Sequence, residues 1–299
     1  MLSGTGVRGR RVVGVALVVA AVAVSSGCSA HDGRPKPAKR HAPSKTARAE
    51  PAQKGERKPE PKTAAQFVAR AREAMGAEKG WTFVLRGSES AVMRGQAPSS
   101  ATYAATVHRT TAPVALQQTG TVTTSKGERK PEAVYVVGGT GHVKEAAEGW
   151  KKGPLSDPGI ANEVEDPLAE LDAFAGYAGS ATVSRTAAGV RLRVGASGWQ
   201  LSAARNRPAL RRAVREVEPT LAQLRKAGVT APDSRITLGS LTETWDLGGE
   251  EQGYRVTSHR YAFTFLVPFR NGDITVSQEV RADNRGVFGG TVTLPSGAE

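Results

Sequence analysis

Between residues 235 and 294, four long β-type segments follow one another with nothing but turn residues between them. They run 235–247, 254–268, 273–282 and 287–294, separated by Gly248-Gly249, Asn271-Gly272 and Asp283-Asn284-Arg285-Gly286. Parallel neighbours need a crossover of a dozen residues or more, so strands joined by such short turns pair antiparallel. The first half repeats the pattern. Trp81–Arg86, 101–110, 114–124, Ala133–Val137 and His142–Glu145 read as strands, with Pro113 and Gly138-Gly139-Thr140-Gly141 as punctuation. A short strand at Trp150-Lys151-Lys152 and a hairpin of Thr182–Arg185 with Val190–Val194 complete the set. Helices are few. Thr63-Ala-Ala-Gln66 is a capping-box pattern, followed by Phe67, Val68, Ala71, Ala74 and Met75 at helical spacing. Asp166-Pro167 pairs an N-cap with proline at the first helical position, ahead of Leu168, Leu171 and Phe174. The class is α+β with an antiparallel sheet.

Tyr261, Phe263, Phe265, Val267 and Phe269 alternate onto one face of a strand. Five large apolar groups on one side need a cover. It is either a helix, as ordinary core, or an apolar ligand in a cavity. Other strands carry small residues, Ala101, Ala104, Ala105, Ala115, Gly120 and Thr123 among them. Such positions fill an interior poorly, which calls for a ligand or close helix packing.

The segment Arg207–Lys226 supplies one such helix. Leu210, Val214, Val217, Leu221 and Leu224 form a continuous stripe, and Pro219 is expected to kink or split it. Arg211, Arg212, Arg215, Arg225 and Lys226 fall outside the stripe. They are expected to face water, where they form either a solvated surface or a contact to anionic lipid head groups.

The N-terminus carries an address. Arg8, Arg10 and Arg11 precede an unbroken run of small and apolar residues, Val12–Val24. A bilayer-spanning helix needs about 20 apolar residues, so this run suits an export signal over residues 1–27. Val24-Ser25-Ser26-Gly27-Cys28-Ser29 resembles a bacterial lipobox around the chain's sole cysteine, with Ser25 where Leu or Val is usual. The resemblance implies that Cys28 is diacylated after cleavage, anchoring the chain to the extracytoplasmic face of the cell membrane. The other reading is an ordinary signal with an incidental cysteine. Residues 28–62 then form a tether with six prolines and no apolar side chain larger than Ala apart from them. Residues 63–299 make a single domain. Net charge is +13, but residues 1–62 contribute +9 of it, so a nucleic-acid-binding domain is not needed to explain the balance.

Taken with the opening helix, the strand Trp81–Arg86, the hairpin from Tyr135-Val136-Val137-Gly138-Gly139 to Gly149-Trp150-Lys151-Lys152 and the closing strands, these features resemble the LolA/LppX-like family of lipid-carrier lipoproteins. The resemblance implies a curved antiparallel half-barrel, covered on its concave face by helices, that holds acyl chains of a lipid or lipoglycan. The β-strand face Tyr261–Phe269 is then the candidate ligand wall. The alternative is a surface interaction or envelope-sensing module on the same fold.

Catalytic signatures are missing from the sequence: there is no Gly-x-Ser-x-Gly elbow, phosphate loop, His-Glu-x-x-His or dinucleotide fingerprint. The five histidines lack metal-ligand spacing; His108 and His259 could approach in space, but exposed strand positions are the simpler expectation. Glu163, Glu165 and Asp166 read as helix-capping residues. No enzyme activity, metal, cofactor or nucleic-acid partner is expected, and the chain is expected to be monomeric.

Overall fold

The computed structural model describes residues 59–298. The chain from Pro61 onward forms one compact unit; of a second unit, 16–60, Pro59 and Glu60 are described. The expected signal segment, Cys28 and most of the tether lie outside the described residues.

Helix α1 (Ala64–Gly76) starts where the capping box places it. The Thr63 hydroxyl accepts from the Gln66 amide at 3.3 Å and Gln66 Oε1 accepts from the Thr63 amide at 3.2 Å. There follows a six-stranded meander: β1 (Gly80–Met93), β2 (Ser99–Thr111), β3 (Val114–Thr124), β4 (Arg129–Val137), β5 (Thr140–Glu145) and β6 (Lys151–Pro154). Two helices come next, α2 (Pro158–Ala161) and α3 (Pro167–Ala175), each N-capped by an aspartate ahead of a proline. A hairpin of β7 (Thr182–Thr186) and β8 (Gly189–Ala196) leads to α4 (Leu201–Ala204) and α5 (Arg211–Lys226). The chain closes with β9 (Thr237–Gly248), β10 (Val256–Phe269) and β11 (Gly272–Val287).

The eleven strands among the described residues form one antiparallel sheet in the order β6-β5-β4-β3-β2-β1-β11-β10-β9-β8-β7. It is two meanders joined along a single seam, β1 against β11, in register from Trp81↔Val287 to Met93↔Ile274. Every other pairing is between strands adjacent in sequence. The sheet does not close: β6 and β7 are its two edges.

Alternation gives the sheet an inner face, packed against helices, and an outer face. On the inner face α1 and α3 bury Phe67, Val68, Met75, Leu171 and Phe174 in one cluster with Trp81, Phe83, Val107 and Leu116 of the first meander and Leu192, Trp245 and Val256 of the second. A second cluster seats the α5 stripe on β9, β10 and β11. Burying each such side chain is worth about 1.5–3 kcal/mol. The stripe holds as one helix despite Pro219, which lies inside α5.

The fourth closing strand expected at 287–294 does not form. Asp283-Asn284-Arg285-Gly286 is not a turn but part of β11, where a bulge sets Thr82 opposite Gly286 and Phe83 opposite Asn284, leaving Arg285 as the extra residue. Gly286 takes φ +111°, a conformation that favours glycine, and its amide donates to Asn284 Oδ1 at 2.8 Å. The residues beyond β11 cross the outer face of the first meander. Phe288 stacks on His108 with centroids 4.5 Å apart, Val292 is buried with Ala115 and Tyr135, and the Ala298 carbonyl lies 2.6 Å from His142 Nδ1.

Candidate ligand groove

The alternation read in β10 holds. Tyr261, Phe263, Phe265 and Val267 are buried, and Phe269 packs against them half-buried. Their cover is protein: Leu210, Val214, Val217, Leu221 and Leu224 of α5 share their cluster. The expected ligand wall is therefore ordinary core along most of its length, with Phe263 alone reaching an open cleft.

The opening lies one strand over, along the seam. Two adjoining shallow clefts lie here, open to solvent, with cavity volumes of about 30 and 20 Å³. Glu89 and Gln278, direct partners across β1 and β11, belong to both. One cleft extends over Gly87, Ala101, Tyr103, Val122 and Val280; the other runs under α5 past Ala91, Glu216, Thr220, Phe263 and Val276. Small residues make this room. Gly120 faces Ala105 across β2 and β3, and a Cβ on it would sit 2.9 Å from the Tyr103 ring. The small positions divide by strand parity. Ala101, Ala105 and Gly120 share the inner parity of Val107 and Leu116, whereas Ala104, Ala115 and Thr123 have the opposite parity and belong to the outer face. No Lys, Arg or His lines either cleft, while the carboxylates of Glu89 and Glu216 do; Glu279 lines the first through its backbone, its side chain being on the outer face with Arg260.

Beside the groove the interior holds an ionic network. Arg212 is 8% exposed and reaches Glu165 at 3.2 Å, Glu170 at 3.3 Å and Glu216 at 2.8 Å. Its guanidinium lies 4.4 Å from the centroid of the Tyr261 ring. Burial pulls the arginine's pKa down, and the carboxylates of Glu170 and Glu216 more than reverse this, leaving it raised. Glu243, opposite Tyr261 on β9, accepts from the Tyr177 hydroxyl at 2.7 Å and from Trp245 Nε1 at 3.0 Å, and lies 3.1 Å from His259 Nε2. Burial pushes the Glu243 carboxyl up, but His259, Tyr177 and Arg212 outweigh it and hold it below the usual carboxylate value. Tyr177 and Tyr261 are both raised, each by burial first and then by a carboxylate, Glu243 and Glu216 respectively. Gln118, fully buried, accepts from the Glu165 amide at 3.0 Å and donates to the Glu163 carbonyl at 3.0 Å.

These contacts correct three expectations. Arg212 does not face water with the other helix cations; it is the centre of a buried ion cluster. Glu163 and Glu165 are buried in that region, and of the acidic trio Asp166 alone caps the helix. His259 is buried, stacked on Trp245 at 3.8 Å, and it does not meet His108, which stacks on Phe288 at the outer face. Of the remaining helix cations, Arg215 lies 3.7 Å from both Glu170 and Glu216, and Arg225 bonds Asp233 at 2.6 Å. Arg211 and Lys226 are exposed. Arg212's place outside the apolar stripe carries no signal of burial, and the lone signal in the sequence is the acidic cluster Glu163, Glu165 and Asp166.

Among the described residues no group of three His, Cys, Asp or Glu side chains is arranged to hold a metal ion, and no helix is long and apolar enough to cross a membrane.

No protein-family model matches the chain, and no curated protein matches it. Among solved structures it is slightly similar to a LolA superfamily protein from Nitrosomonas europaea, at 10% identity and a TM-score of 0.23, over 79% of this chain and 96% of that one. A beta-barrel-like protein of a domain of unknown function from Brucella abortus gives 8% identity and a TM-score of 0.21, over 69% and 96%.

Proposed function

We propose that this chain is a non-catalytic, lipid-anchored protein of the extracytoplasmic membrane face that binds an amphiphile in the groove along the β1–β11 seam. The observation that carries this reading is the groove's lining: an apolar floor of Gly87, Ala101, Val122 and Val280 beside a polar stretch of Glu89, Ser90, Ser99, Glu216 and Gln278. A floor of small and β-branched residues offers apolar contact to an aliphatic chain, and the polar stretch takes a head group. Because no cation lines the groove and Glu216 is already held by Arg212, the lining offers an anionic head group no partner, and an uncharged or positive one fits better. The lipobox-like segment at Cys28 and the resemblance to LolA/LppX-like carriers support the anchored, lipid-handling part of the reading. The helix-bearing face is then the concave side of a half-barrel.

A second reading has its own observation. The face expected to hold ligand is filled by α5, which favours an interaction or sensing module with an occupied core. Mass spectrometry of an organic extract of the purified protein separates the two. Co-purifying amphiphile at near-stoichiometric yield is expected for the carrier; a clean extract favours the module.

A further inference from the structure

The strand registers place four arginines in one transverse row on the outer face. Arg193 pairs with Thr244, Thr244 with Arg260, Arg260 with Arg281 and Arg281 with Arg86. All four arginines are exposed. With strands about 4.8 Å apart, the row from β8 to β1 spans roughly 19 Å, and its last three members sit on adjacent strands. Like charges directly opposite one another destabilise a sheet, so this arrangement opposes folding. Carboxylates relieve part of it: Arg260 bonds Glu279 at 2.8 Å and Arg281 bonds Asp283 at 2.8 Å. Among the described residues no ion pair reaches Arg86 or Arg193. With Arg191, held by Asp246, and Arg285, beside Asp283, the patch sets six arginines against three carboxylates. Its surroundings are short and hydroxylated, including Ser88, Thr242, Ser258 and Thr264, so guanidinium groups stand clear of their neighbours.

We infer that this outer face, and not helix α5, is the surface that docks on anionic lipid head groups. Charge complementarity selects the occupant: a planar array of guanidinium groups at strand spacing meets a planar array of phosphates. Helix α5 offers less. Arg212 is buried, and Arg225 and Arg205 are tied to Asp233 and Glu218. Screening confines the attraction to about 8 Å, so the face must lie against the membrane. The groove, on the opposite face, then points away from the bilayer. The inference rests on the reading of the chain as a membrane-surface protein.

The test uses the full chain carrying Cys28→Ala, so that no acyl anchor holds it, and vesicles of phosphatidylcholine with or without phosphatidylglycerol. The preference for anionic vesicles is expected to fall roughly 30-fold when Arg86 and Arg193 are both changed to Gln, about 1 kcal/mol for each arginine. Binding to the neutral vesicles is expected to stay the same, as is the thermal midpoint. Changing Arg211 and Lys226 to Gln is expected to leave the preference within about twofold. An unchanged preference in the outer-face variant, or an equal fall in the helix variant, overturns the inference. So does a parent chain with no preference, which would leave an acidic protein as the row's occupant. Since neither lipidation nor groove occupancy enters this measurement, its failure is distinct from failure of the amphiphile-binding reading.

Discussion

At the scale of single residues, Arg212 is where the interior is most exposed to substitution. Three carboxylates, from Glu165, Glu170 and Glu216, converge on it. Removing the cation leaves them mutually repelling and largely out of water, and breaking a buried pair in this way costs about 3–5 kcal/mol. Arg212→Met is expected to lower stability by that amount in urea melts, whereas Arg211→Met, one residue away and exposed, should stay within about 0.5 kcal/mol. Equal effects would mean that the ion cluster contributes nothing specific. Tyr177 and Tyr261 act at the other end of the pH scale. Both have raised folded pKa values, so the native state keeps protons that the unfolded chain releases. Their contribution is fully present below the ordinary tyrosine pKa, about 10, and is lost as pH rises above it. Stability should fall by up to about 1.4 kcal/mol per pH unit for each tyrosine. Tyr261→Phe should make that alkaline slope shallower by about one proton, as read from urea midpoints between pH 9.5 and 11. An unaltered slope would remove Tyr261 from the account.

At the scale of elements, the sequence was legible wherever a local rule had no competitor. The capping box at Thr63, the aspartate cap before Pro167, strand β3 and the β10 alternation all came through, because hydrogen-bond geometry or strict period two decides each of them. The misreadings share a physical reason. Asp283-Asn284-Arg285-Gly286 has the composition of a turn, but β1 is long enough to pair past it, so tertiary pairing converts the same residues into a bulge. Residues beyond β11 look strand-like, yet β11 is central and its neighbours β1 and β10 are already paired on both sides, so these residues pack Phe288 and bury Val292 on the outer face instead. The α5 stripe was readable from spacing, but its buried arc is wider than its apolar residues, since Arg212 and Glu216 complete it. A charge pattern by itself does not distinguish a solvated flank from a buried ion cluster; acids from another element decide that, and they lie 47 positions from Arg212 in the case of Glu165.

At the scale of the whole molecule, the proposed function follows from where the two meanders meet. The seam is the one place where the sheet joins strands distant in sequence, and it is also where Gly87, Ala91 and Ala101 leave the inner face without bulk between two well-packed clusters. Small residues on the strands pointed to such a gap, but their parity, and hence which of them face it, depended on strand register. The central claim is that this gap is a binding site. Ala101, 4% exposed, lies on its floor, and Ala101→Phe puts a large β-favouring side chain there; circular dichroism and a melt beside the parent check that the variant folds. The most direct measurement is titration of the purified protein and of this variant with dodecyl amphiphiles below their micelle concentrations, comparing maltoside, ammonium and carboxylate head groups by tryptophan fluorescence or calorimetry. The account predicts saturable binding of the maltoside or ammonium compound, at least tenfold weaker binding of the carboxylate, and loss of all three in Ala101→Phe with the fold intact. Equal titration of the parent and the variant, or tightest binding of the carboxylate, would contradict it.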